Sequence, residues 1–145
     1  VIVHEFPEKF SMENSDLFFK DKKYDYIVDA IDLVTSKLAL AEIAKNLSIP
    51  IISSMGTGNK IEPTMLGVAD INKTSVCPLA RVMRKELKNR GIKKLKVVYS
   101  KELPKKPFNE SGSREKKVNV GSIAFVPSTA GLIIASEIVK DLCNF

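Results

Sequence analysis

The stretch "YDYIVDAIDLVTSK", residues 24–37, decides the fold of this chain. It runs apolar through Ile27 and Val28, as strands of a buried parallel sheet do. It then delivers two aspartates, Asp29 and Asp32, where a helix should begin. The continuation "TSKLALAEIAKNLS", residues 35–48, places Leu40, Ile43, Ala44 and Leu47 at helical spacing, so one face is apolar. "IPIISSMG", residues 49–56, returns as a second strand ended by Gly56. Strand, helix and strand within about thirty residues make a βαβ unit with an expected right-handed crossover. The fold class is therefore α/β.

Working outward, "VIVHEF", residues 1–6, is a strand candidate rich in β-branched residues, with His4 as a structural residue on it. "ENSDLFFKDK", residues 13–22, predicts a short helix capped by Ser15. "TGNKIEPTMLG", residues 57–67, reads as loop, broken by Gly58, Pro63 and Gly67. A third helix follows, with Pro78 in its first turn, Leu79, Val82, Met83 and Leu87 on its apolar side, and Gly91 at its end. "KLKVVYSKE", residues 94–102, is a strand. Residues 104–122 are polar and aperiodic, which predicts a flexible excursion. "PSTAGLIIASEIVKDL", residues 127–142, predicts a closing helix that is apolar on most sides and buried. All 145 residues are read as one domain.

The bulk numbers exclude several classes. Apolar residues make up 44% and charged residues 28%, enough for one core. Cys77, Cys143 and one histidine cannot build a structural zinc site, and no disulfide framework is apparent, so a reducing cytoplasm is the default. No apolar run is long enough to span a bilayer. The net charge of +6 is compatible with an anionic partner such as a nucleotide or RNA, and equally with simple solubility.

The two aspartates lie at a carboxyl end of the sheet, where parallel α/β folds bind ligands. An aspartate there can cap the next helix, or it can hold magnesium beside a phosphate. Lys37, one turn into the helix, is placed to reach a phosphate. "SSMGTGNK", residues 53–60, ends the neighbouring strand, so Ser53, Ser54, Gly56 and Lys60 are candidates to line one crevice with Asp32, or simply to make a strand-to-loop turn. On the third helix, Arg81, Arg84, Lys85 and Lys88 share one side, which is either a surface for a nucleic-acid backbone or a solvated face. Cys77 stands at a helix start that can stabilise a thiolate, though a small packing residue is the plainer role, and Cys143 is incidental.

Residues 24–66, ending in "SSMGTGNKIEPTML", resemble the HesA/MoeB/ThiF superfamily of ubiquitin-activating-type enzymes. "VADINKTSVCPLARVMRKELKNRGI", residues 68–92, and "GSIAFVPSTAGLIIASEIVKDL", residues 121–142, resemble its tRNA threonylcarbamoyladenosine dehydratase branch. The resemblance implies a partial Rossmann-like sheet with flanking helices, the C-terminal part of an adenylating-enzyme fold. It implies ATP-dependent activation of the threonylcarbamoyl carboxylate on tRNA, followed by cyclisation with loss of water. It implies Asp32 as the magnesium-associated catalytic acid, with Asp29 anchoring the strand end. A homodimer and a sulfur-transfer protein are implied partners. Two other readings stay open: adenylation of a ubiquitin-like sulfur carrier, and a non-catalytic dimerisation or binding module. All glycines lie at or after Gly56, so the Gly-rich nucleotide loop of the superfamily is missing. The chain is therefore expected to be the C-terminal portion of a longer enzyme and inactive alone. No cysteine near residues 116–125 and no Cys-x-x-Cys pair supports a thioester mechanism or a sulfur-carrier zinc site.

Overall fold

In the computed structural model, residues 1–105 and 120–145 are described. The expected excursion over 104–122 falls largely on residues 106–119, outside the described residues, as does the basic run "SREKK".

The βαβ unit is present. Strand β1 (Ile27–Asp29) leads into helix α2 (Val34–Leu47), which returns to β2 (Ile51–Ser54), after a short first helix α1 (Ser15–Phe19). Strand β3 (Leu66–Asp70), helix α3 (Pro78–Asn89), strand β4 (Lys96–Ser100) and helix α4 (Phe125–Cys143) complete the order. The four strands lie as β1-β2-β4-β3. β1, β2 and β4 are parallel, with Ile27 opposite Ile51 and Ser53 opposite Val97, while β3 runs antiparallel to β4.

Side chains alternate across this sheet and separate two layers. Val97 and Tyr99 face α2 and α3, where Leu38, Ala41, Met55, Ile71, Ala80, Met83, Leu87 and Leu95 fill the core. Ile52 and Val98 point the other way and meet Ala130 and Ile134 of α4.

Several expectations are corrected. Residues 1–6 form no strand: Ile2 and Val3 are exposed with no neighbouring strand, and β-branched composition alone cannot supply a ladder. His4 is accordingly exposed on a coil segment. Ser15 does not cap α1. Asn14 holds that position, its Oδ1 accepting from Ser11 N at 2.8 Å. Residues 57–67 are not all loop: a 3-10 turn over Pro63–Met65 leads directly into β3. This short edge strand lacks alternation in "LGVAD" and exists because β4 offers it five register partners. In α2, Leu40, Ile43 and Ala44 are buried but Leu47 is exposed. In α3, Val82 is exposed and Ala80 takes the core position, while Gly91 ends the helix at φ +65°. Helix α4 begins at Phe125, ahead of Pro127, and buries only Val126, Ala130 and Ile134. Leu132, Val139 and Leu142 stand exposed, Leu132 at 72%. Among the described residues no helix is long and apolar enough to cross a membrane.

Candidate active site

The strand tips organise the site from the inside outward. Asp29, the last residue of β1, is 1% exposed, and its carboxylate is fully engaged. Oδ2 accepts from Lys37 Nζ at 2.9 Å and from Ser53 Oγ at 2.5 Å, while Oδ1 accepts from Ile31 N at 3.1 Å. Lys37 is equally buried, with Nζ also 3.4 Å from Ser53 Oγ. Asp29, Lys37 and Ser53 thus tie β1, the first turn of α2 and β2 into one buried knot. A buried charge pair of this kind persists only when hydrogen bonds support it, and here no buried side-chain nitrogen or oxygen among the described residues is left without a partner.

Neither aspartate caps α2. The N-cap position is Leu33, without a side-chain bond. Among the described residues Asp32 makes no hydrogen bond or ion pair, and its carboxylate is exposed at the rim of a cavity of about 550 Å3. That cavity opens beyond the carboxyl ends of β1 and β2 and gathers Asp32, Lys37, Ser54, Gly56 and Lys60. Ser53 is not on its wall, because its hydroxyl is turned to Asp29. Lys37 lines the wall while its ammonium remains paired with Asp29.

Other wall residues carried little signal in the sequence. Cys77 reaches the cavity from the start of α3, yet is buried in the α2–α3 core, as a packing cysteine would be. Lys60 is 3% exposed and donates from Nζ to Gly56 O at 2.7 Å. Burial pushes its ammonium below the usual lysine range, partly offset by the Cys77 sulfur and the Glu102 carboxylate. Asn59 fastens the far rim. Its N donates to Gly121 O at 2.7 Å, its Oδ1 accepts from Gly121 N at 2.7 Å, and its carbonyl accepts from Lys105 N at 2.7 Å. Asn59 adopts φ +56°, a conformation asparagine tolerates better than most residues. A Cβ at Gly58 beside it would stand 2.2 Å from Val120 Cγ1, so a side chain there would displace the Val120 methyl. "TGN" was the one signal for this turn, and its distant partners were not legible.

The basic side of α3 divides. Arg84 is half-buried, and its guanidinium donates to Ile71 O at 3.2 Å, to Thr74 O at 3.1 Å and to Thr74 Oγ1, pinning the turn before α3. Arg81, Lys85 and Lys88 remain exposed along a groove of about 640 Å3 that Lys93 extends. No three His, Cys, Asp or Glu side chains gather as a metal cage among the described residues. Asp32 would therefore hold magnesium only together with oxygen ligands from a phosphate or water, which suits that ion's preference.

A family model described as the ThiF family matches residues 1–145. The chain is 40% identical over 143 residues to the tRNA threonylcarbamoyladenosine dehydratase of Bacillus subtilis, covering 92% of this chain and 56% of that protein. It is 49% identical over 81 residues to tRNA threonylcarbamoyladenosine dehydratase 2 of Saccharomyces cerevisiae, covering 55% of this chain and 18% of that protein. It superposes on the crystal structure of the E. coli tRNA N6-threonylcarbamoyladenosine dehydratase in complex with AMP with a TM-score of 0.81 at 26% identity, covering 96% of this chain and 56% of that one. The complex of the same enzyme with ATP gives a TM-score of 0.80 at 26% identity, with the same coverage. The chain thus spans about half the length of the Bacillus subtilis and E. coli relatives.

Proposed function

This chain belongs to the ThiF family, and on that premise we propose that it serves an ATP-dependent tRNA threonylcarbamoyladenosine dehydratase. The activity adenylates the threonylcarbamoyl carboxylate and closes the ring with loss of water. A carboxylate is a poor electrophile, and joining it to AMP supplies a good leaving group. The observation that carries the reading is the Asp32 carboxylate, unpaired among the described residues, at the mouth of the strand-tip cavity. The Bacillus subtilis likeness and the AMP and ATP complexes of the E. coli enzyme support the same choice.

In this reading Asp32 holds magnesium against the nucleotide phosphates, and Ser54, Gly56 and Lys60 form the opposite wall. Lys37 and Ser53 act behind them by fixing Asp29 and so the angle at which α2 leaves β1. Arg81, Lys85 and Lys88 offer cations to the tRNA backbone, while Arg84 is half-buried with its Nη1 engaged by Ile71 and Thr74. The exposed row Leu132, Val139 and Leu142 on α4 supports a homodimer. A tRNA substrate is compatible with a cytoplasmic activity.

The test supplies the full-length enzyme that carries this chain with ATP, magnesium and tRNA bearing threonylcarbamoyladenosine, then weighs the released nucleoside by mass spectrometry. Loss of one water from the modified adenosine is the expected result. An unchanged nucleoside alongside an adenylated ubiquitin-like carrier would overturn it in favour of sulfur-carrier activation.

A further inference from the structure

Two lysines, Lys37 and Lys60, are buried at the cavity wall, and among the described residues only Lys37 has a counter-ion. Lys37 is neutralised by Asp29 at 2.9 Å. Lys60 has three ammonium protons and gives one to Gly56 O. Among the described residues no carboxylate lies within ion-pair distance of it. Glu102, its acidic neighbour, is itself buried, with Oε2 accepting from Ile61 N at 3.0 Å and Glu62 N at 2.9 Å. An ammonium out of water without a partner anion is costly, and an anion entering the cavity would offset that cost.

The start of α3 faces the same space. This helix of 12 residues has Cys77 at its N-cap with no side-chain cap bond, and Leu79 of its first turn lines the cavity. The positive end of the helix is therefore left without an anionic or hydroxyl acceptor from its own cap. Gly56, whose carbonyl holds Lys60, abuts that turn: a Cβ built there would lie 3.9 Å from Leu79 Cβ.

We propose that Lys60 and the first turn of α3 form an anion subsite that holds one anionic oxygen group of the reacting pair. Resting on the adenylating reading, the two possible sources are the α-phosphate of the nucleotide and the carboxylate to be activated. Both present oxygens to an ammonium and backbone amides in the same way. Among the described residues, Cys77 and Glu102 are the titratable groups acting on Lys60, and Asp32 and the neutralised Lys37 line the same cavity. Burial holds the empty subsite's ammonium below its usual range, and an anion beside it restores the charge. Binding therefore takes up a proton in the window between the two states, and affinity falls as pH rises through it.

The experiment follows the Lys60 13Cε resonance against pH, assigned by its loss in Lys60→Met. The protein is taken alone, with AMP, and with N-carbamoylthreonine. An upward shift of the midpoint with AMP assigns the subsite to phosphate; a shift with N-carbamoylthreonine assigns it to the carboxylate. No shift with either overturns the proposal. Lys60→Arg, always charged, should bind the same probe within about twofold but lose the pH dependence. Lys60→Met should lose at least about tenfold in affinity, and unchanged affinity would overturn the proposal. A shifted midpoint in a protein that makes no cyclic nucleoside leaves the subsite standing and removes the dehydratase reading instead.

Discussion

At Asp29 and Asp32 the same residue type does opposite work three positions apart. Asp29 is sealed beneath the strand tips by Lys37, Ser53 and the Ile31 amide, while Asp32 is exposed and unpaired among the described residues. Their substitutions should therefore fail in opposite ways. Lys37→Met leaves a buried carboxylate without its cation and should cost about 3–5 kcal/mol, read as a lower urea midpoint. Asp32→Asn touches nothing that holds the fold and should move stability by no more than about 0.5 kcal/mol. It should lower kcat/KM for cyclisation by about a hundredfold or more, in a single-turnover assay. Undiminished turnover would remove Asp32 from the chemistry. The sequence named Asp29, Lys37 and Ser53 but could not pair them, because residues 8 and 24 positions apart meet only after β1 and β2 align.

Among the elements, α4 is held to the sheet by few apolar contacts and by a polar cluster at its end. Lys96 of β4 reaches Glu137 at 2.8 Å and Asp141 at 2.9 Å, and Tyr26 donates to Asp141 at 2.6 Å. The Lys96 and Lys140 ammonium groups hold the Glu137 carboxyl below its usual range; the Tyr26 hydroxyl, then Lys96, does the same for Asp141. A carboxyl lowered on folding stabilises the native state above its unfolded value, and that gain is lost as pH falls through the folded value. The cluster is largely solvent-exposed, so the effect should stay within about 1 kcal/mol and weaken in salt. Hydrogen exchange should show α4 amides opening more readily at acid pH, and Asp141→Asn should shrink that pH response. Equal protection of α4 from neutral to acid pH would contradict this. Helix α4 was legible as a helix from "GLIIASEIVKDL", but its burial was not: apolar residues on every side do not say which side finds a sheet.

For the whole molecule, charge and layering set what can approach. Arg81, Lys85 and Lys88 lie exposed on α3 while Asp32 sits at the strand-tip cavity. Replacing those three cations with alanine should weaken tRNA binding uniformly and lower the slope of log K against log salt by about two to three. A filter-binding series over ionic strength reads both, and an unaltered slope would reduce the patch to a solvated face. The sequence by itself determined the parallel βαβ unit, the helices α2 and α3 and the strand-tip position of Asp32, because apolar periodicity and breaker residues are local properties. Only the tertiary structure decided that β3 exists, that Val1–Phe6 is no strand, that Arg84 Nη1 is held by Ile71 and Thr74, and that Lys60 has no counter-ion among the described residues. Each of these depends on which distant backbone or side chain lies within hydrogen-bond reach, and that distance is set by how the layers close.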